Sequence, residues 1–91
     1  MLPPIEHRPA EGRFQVVVDG LTCVADYRLN GAVMVMTHTG VPPALQGRGI
    51  AAALVQAALD HAAAHGLKVD PRCSYVSAYM RRHPGTQALL A

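Results

Sequence analysis

From Arg13 to Val41 apolar and polar positions follow the two-residue period of β-structure. Arg13 to Val18 alternates in part and carries Phe14 and Val16, so a strand is expected there. Asp19-Gly20 is a two-residue hairpin signal, and Leu21 to Leu29 is the next strand. Asn30-Gly31 repeats the hairpin signal before a third strand, Ala32 to Val41. Simple alternation puts Val33, Val35, Thr37 and Thr39 on one face of that strand and Met34, Met36 and His38 on the other. An antiparallel three-stranded meander follows from these turns and runs. The first twelve residues, with Pro3, Pro4, Pro9 and Gly12, read as an irregular lead-in.

After Val41 the period changes. Ile50, Ala51, Leu54, Val55, Ala58, Leu59 and Ala62 form the i, i+3, i+4 stripe of an amphipathic helix over Arg48 to His65, about 27 Å long at 1.5 Å per residue. Gln56 and Asp60 fall on the opposite side, and Gly66 supplies a C-terminal cap. Leu67-Lys68-Val69 is a short strand, parallel to Ala32–Val41 if the helix is a crossover, and Pro71 ends it. Cys73 to His83 reads as a shorter helix stopped by Pro84-Gly85, with a frayed turn after Thr86. The expected fold is α/β, α+β in layout: a meander, a β-loop-α-β crossover and a final helix, giving a four-stranded mixed sheet in one domain spanning 1–91.

Composition narrows this only a little. With 91 residues, 51% of them hydrophobic, no Trp and only Phe14 among phenylalanines, the core must be aliphatic. A net charge of +2 with five histidines and no Lys/Arg block gives no support for nucleic acid. Cys23 and Cys73 make neither a disulfide framework nor a CxxC pair, so a reduced, cytoplasmic setting is expected. Met1 to Ala10 carries Glu6 and three prolines where a signal peptide has an apolar run. Ile50 to Leu59 is too short to span a bilayer, so no membrane role is expected.

The densest chemistry lies in Val41-Pro42-Pro43-Ala44-Leu45-Gln46-Gly47-Arg48-Gly49-Ile50-Ala51. A strand ends, a glycine-rich turn follows, and a helix begins. Glycines let a ligand approach the backbone, and the N–H groups of a helix N-terminus carry partial positive charge that favours phosphate. A P-loop is excluded, because Gly49 is followed by Ile50-Ala51 and not by Lys-Ser/Thr. Gly47-x-Gly49-x-x-Ala52 fits a dinucleotide fingerprint, with Asp70 near the place of a ribose-binding acid. Against it stand Pro42-Pro43 before the first glycine, the antiparallel hairpins upstream, and a chain too short for a nucleotide-binding sheet.

Gln46-Gly47-Arg48-Gly49-Ile50-Ala51 matches Q/R-x-x-G-x-G/A, and here the chain resembles the GNAT superfamily of acetyl-CoA-dependent N-acetyltransferases. The resemblance runs from about residue 14 to 84. His38-Thr39-x-Val41-Pro42, Gly66-Leu67-Lys68-Val69-x-Pro71-x-Cys73-Ser74 and Tyr79-x-x-Arg82-His83-Pro84 look like a subfamily of minimal, stand-alone members. It implies acetyl-CoA as the acyl donor. Backbone groups near Val41 would pair with the pantetheine arm, and amides from Gln46 to Ala51 would hold the pyrophosphate, with Arg48 adding a charge-assisted contact. Ser74 and Arg82 join the cofactor-binding set through the same motifs. The helices and closing strands that shape the acceptor pocket in larger members are missing, which implies an open site for an amine on a protein tail or small molecule, or one completed by a partner chain.

Two catalytic routes stand side by side. Cys73 lies at the start of the second helix beside Arg72, and both features favour thiolate. It would relay acetyl to the amine, or else it is a small residue packed beneath the cofactor arm. In direct attack a base takes the amine proton. The resemblance puts an acid between Thr39 and Val41, where this chain has Gly40. His38 is the candidate in its place, imidazole titrating near neutrality, unless it is hydrogen-bonded scaffold. Tyr75 and Tyr79, four apart, are either thiolate protonators or packing residues with bonded hydroxyls. Arg81, Arg82 and His83 suit a helix C-terminus whether or not they meet phosphate. His61 and His65 have i, i+4 spacing but no third ligand near in sequence, so no metal is expected. Cys23, Met34 and Met36 read as core. A non-catalytic acyl-CoA-binding module is the alternative to the enzyme.

Overall fold

The structure, a computed structural model, describes residues 2–91. Its sheet has five strands in sequence order: β1 (Glu6–Arg8), β2 (Arg13–Val18), β3 (Leu21–Asn30), β4 (Val33–Gly40) and β5 (Lys68–Pro71). The first three neighbour pairs are antiparallel and β4–β5 is parallel. Helix α1 (Ile50–Ala64) makes the crossover between β4 and β5, and α2 (Ser74–Arg82) follows β5. The expected meander, crossover and final helix are all present.

The lead-in is not irregular, and the sheet has one more strand than expected. His7 pairs with Phe14 and stacks on its ring at a 4.1 Å centroid distance, while Arg8 bonds Glu6 and Glu11 on the exposed side. Three residues with a single inward position leave no readable period. The chain reverses into β2 through a 3-10 turn (Pro9–Glu11) and Gly12 at φ 63°. Only glycine fits there, because a Cβ would collide with the Tyr27 carbonyl.

Asp19 and Gly20 both have positive φ, as a type I′ turn requires. The second hairpin lies one residue beyond the expected place. Asn30 pairs with Val33, so the loop is Gly31-Ala32 with Gly31 at φ 59°, the glycine-first pattern of a II′ turn.

A bulge in β4 overturns the face assignment of its second half. Asp26 pairs with His38 but Tyr27 pairs with Met36, which leaves Thr37 over. Thr39 therefore opposes buried Ala25, on the side of Met34 and Met36. His38 opposes Asp26 on the face turned away from the core and is exposed.

One continuous core joins sheet and helices. Met34 and Met36 of β4, Leu54, Val55, Ala58 and Leu59 of α1, and Val76 and Met80 of α2 are all buried, with Cys23 among them. Gln56, expected to face solvent, lies between the helices, where it accepts the Tyr79 hydroxyl and donates to Asp60 at 2.8 Å. Asp60 is the i+4 neighbour of Gln56 on the helical wheel, but Tyr79 belongs to α2, and an isolated wheel of α1 does not show that contact. The C-terminus is not a frayed turn. After a 3-10 segment (Pro84–Leu89), Leu90 bridges Val69 and the Ala91 amide donates to the Val69 carbonyl at 3.0 Å, closing the free edge of β5. Among the described residues no helix is long and apolar enough to cross a membrane.

Candidate functional site

The site starts from a local backbone constraint. Gly47 and Gly49 adopt φ of 83° and 78°, a region that side chains with a Cβ avoid. Gly49 caps α1, which is why the helix begins at Ile50 and not at Arg48. The first amide the helix claims is that of Ala53, donating to the Gly49 carbonyl at 3.1 Å. Among the described residues, the amides of Gly47, Arg48, Gly49, Ile50 and Ala51 have no hydrogen-bond acceptor in the chain, and beyond its immediate chain neighbours nothing lies within 4 Å of where a Cβ on either glycine would sit. These N–H groups stand unclaimed at a helix N-terminus, an arrangement suited to an anion such as a diphosphate.

That space is the mouth of a cavity of about 360 Å³. Thr39 and Val41 at the end of β4 form one wall, the loop residues Leu45, Gln46, Gly47 and Gly49 the base, and Ile50, Ala51 and Tyr75 the other side. Among the described residues no charged side chain lines it. It suits a neutral, flexible arm that ends in a polar group at the amides.

The cavity exists because β4 and β5 part. Their last paired residues are Met36 and Pro71; β4 then continues to Gly40 while the other chain turns into α2. The Cys73 amide donates to the Met36 carbonyl at 3.0 Å, pinning the start of α2 against the strand. Across the gap Thr39 Oγ1 lies 3.5 Å from Cys73 Sγ.

Cys73 is the N-cap of α2 and half-buried. Burial by itself pushes its thiol up, but the Thr39 hydroxyl and the backbone amides of Val76, Tyr75 and Thr39 outweigh that, and the net shift is downward. The thiol makes no capping hydrogen bond of full geometry, so these amides act as nearby dipoles. Arg72 contributes nothing to this: its guanidinium is taken by Asp70 at 2.8 Å. Cys23, wholly buried among apolar groups, is shifted up and is inert by comparison.

The other expected site residues divide. Gln46 lines the cavity, and its Nε2 donates to the Val41 carbonyl at 3.1 Å, so that carbonyl is engaged within the loop. Arg48 reaches away to Asp19 at 3.3 Å, leaving its amide, not its charge, at the loop. Ser74 is exposed at the start of α2 and does not line the cavity. Arg82 lines a neighbouring cavity of about 310 Å³ with Tyr75, Tyr79 and His83. His38 and Cys73 are not brought together on one face, because the bulge turns His38 outward and Thr39 inward. The ring of His38 folds over Gly40: a Cβ there would stand 2.9 Å from Nε2. Glycine at position 40 is what leaves room for that imidazole.

Thr39 and Leu45 are cavity residues to which the sequence assigned no cofactor role, and Tyr75, weighed there as a thiolate protonator or a packing residue, lines the cavity too. Thr39 stood within a quoted motif, but plain alternation turned it the wrong way. His61 and His65 stack on each other at 4.0 Å, and His61 meets His7 of β1 at 4.4 Å. No group of His, Cys, Asp or Glu among the described residues has the arrangement of a metal site.

Residues 13–89 match the family described as GCN5-related N-acetyl-transferase. Protein NATD1 of Mus musculus and of Gallus gallus are each 36% identical to this chain over 88 residues, covering 93% of it and 80% of their own length. Protein NATD1 of Danio rerio is 32% identical over the same span. The NMR structure of a GCN5-like protein from Staphylococcus aureus superposes with a TM-score of 0.78 at 24% identity, over 97% of this chain and 87% of that one, and so shares the fold. With the glycine loop at the head of α1 and the parting of β4 from β5, these likenesses place the chain in the GCN5-related N-acetyltransferase family.

Proposed function

We propose that this protein takes an acetyl group from acetyl-CoA and passes it to an amine, with Cys73 as an intermediate carrier. The observation that carries this is the uncharged cavity that runs from five unclaimed loop amides toward the gap holding Thr39 and Cys73. The amides suit the diphosphate of CoA and the apolar walls suit its pantetheine arm. Arg82 and His83, beside the second cavity, suit the remaining phosphate.

The Cys73 thiolate adds to the acetyl carbonyl carbon. A carbon–sulfur bond to Cys73 forms, the bond to the CoA sulfur breaks, and CoA leaves as a thiolate that takes a proton from water. A neutral amine then attacks the Cys73 thioester, the C–N bond forms, and Cys73 leaves as thiolate. The amine proton goes to water, because His38 stands on the other face of β4 from Cys73. Exchange between two thioesters is close to isoenergetic, and amide formation draws the second step forward.

The test is intact-mass analysis after mixing with acetyl-CoA, followed by turnover against an amine panel. A 42 Da adduct that Cys73→Ala abolishes is the expected result. Full turnover by Cys73→Ala removes the relay and leaves direct attack of the amine on acetyl-CoA. The absence of any carboxylate at position 40 or along the cavity favours a second reading, an acyl-CoA-binding module. It would show heat on titration with CoA but no transfer to Cys73 or to amines. No heat and no thermal shift with CoA ends both readings.

A further inference from the structure

We infer that Thr39 is a positioning residue for Cys73: its hydroxyl donates to Sγ across the gap between β4 and β5 and holds the sulfur next to the cavity that Thr39 lines. The inference rests on the reading of Cys73 as nucleophile and goes beyond it by assigning the group that prepares the thiol.

Three independent features of the chain converge on this pair. The bulge is the first. Thr37 and Thr39 stand two apart in the same strand, and unbroken alternation would put both on one face. The leftover residue at Thr37 instead turns Thr39 onto the core side, opposite Ala25. Thr37 stays exposed and its hydroxyl bonds the Asp26 carbonyl at 3.3 Å, an ordinary backbone contact. The hydroxyl of Thr39 has no partner but Cys73 Sγ among the described residues.

The second feature is the place of Thr39 itself. It lines the cavity and touches Cys73, whereas Cys73 does not line the cavity directly. Thr39 is therefore the residue that joins the space for the acyl donor to the sulfur. The third is the tether on the other side: the Cys73 amide is held by the Met36 carbonyl, which fixes the backbone of Cys73 against β4 with its sulfur next to Thr39 and the first amides of α2.

A threonine hydroxyl has one hydrogen to give. With Sγ as a neutral thiol either atom can be the donor; with Sγ as thiolate only the hydroxyl can be. A hydrogen bond to the charged form stabilises that form. Other polar groups around the thiol do not compete. Arg72 is held by Asp70, His38 lies on the far face of β4, the Tyr75 hydroxyl has no hydrogen bond to Sγ, and α1 presents no titratable group among the cavity-lining residues.

The experiment is the pH dependence of iodoacetamide alkylation of Cys73, read beside acetyl loading from acetyl-CoA in the same variants. Cys23 is wholly buried and stays silent in the folded protein. Thr39→Val keeps the shape of the residue and removes the hydroxyl; Thr39→Ser keeps the hydroxyl. In Thr39→Val the alkylation midpoint should rise by about half to one pH unit, and the rate at pH 7 should fall about three- to tenfold, with acetyl loading slowed alongside. Thr39→Ser should stay near wild type in both. An unshifted midpoint in folded Thr39→Val, or an equal shift in both variants, overturns the role of Thr39. A shifted midpoint with no acetyl adduct even on the wild-type protein overturns the nucleophile reading of Cys73 instead, and with it any part for Thr39 in transfer.

Discussion

His7 and Tyr27 meet at 2.6 Å, imidazole Nε2 to phenol hydroxyl, and that bond ties the three-residue edge strand to the centre of the sheet. His7 also lies flat on Phe14 and edge-on to His61 of α1. Burial, then the charge of His65, holds His7 below the ordinary imidazole value; burial, then His7 and His65, does the same to His61. The folded state thus resists protons that the unfolded chain accepts. The stability from this cluster is complete above about pH 6.5 and is lost as the pH falls below it. The thermal midpoint should drop from pH 7.5 to pH 5, and His7→Phe, which keeps the stacking, should flatten that drop. An equal acid slope in His7→Phe and wild type would show that the cluster is not its source.

Gly49→Ala tests the loop. No protein atom obstructs the new methyl, so the cost is backbone strain at φ 78°, about 1–2 kcal/mol. The methyl would also enter the space in front of the amides. CoA affinity, followed by titration calorimetry, should fall more than about tenfold, which exceeds the loss of the correctly folded fraction. Unchanged affinity in the folded variant would show that the diphosphate lies elsewhere.

Tyr79→Phe removes the donor to the Gln56 carbonyl oxygen between α1 and α2. Gln56 is half-buried and keeps Asp60 as acceptor for its amide, so the expected loss is about 1–2 kcal/mol in urea unfolding. A loss below about 0.5 kcal/mol would mean that water replaces the hydroxyl fully.

Leu54 is wholly enclosed by helix and sheet. Leu54→Ala should cost about 2–5 kcal/mol, while Met36→Leu, similar in volume, should cost less than about 1.5 kcal/mol. Equilibrium unfolding of the two variants checks the order; a reversal would mean that the core relaxes around Leu54 and is rigid around Met36.

Arg48→Ala separates charge from backbone at the loop. The pair with Asp19 is exposed on both sides, so stability should change by less than about 0.5 kcal/mol. If the site uses only the Arg48 amide, CoA affinity should stay within about threefold of wild type. A larger loss, seen by calorimetry, would show that the guanidinium leaves Asp19 for the ligand.

Local patterns in the chain determined most of the architecture, because they act between near neighbours. Asp19-Gly20 specified its turn through backbone conformations that few residues adopt, and the stripe from Ile50 to Ala62 specified α1 and the face it buries. Gly47 and Gly49 announced the sharp loop at the head of α1 for the same reason. What the chain could not disclose depended on residues far apart in it. β1 exists because His7 finds Phe14, Tyr27 and His61, none of which is within its own window. The turn at Gly31-Ala32 and the leftover Thr37 come from register between strands, and register is settled by the packing of whole faces. One extra residue in β4 then decided the chemistry: it sent His38 out, brought Thr39 in, and set a hydroxyl 3.5 Å from a thiol that lies 34 positions further along.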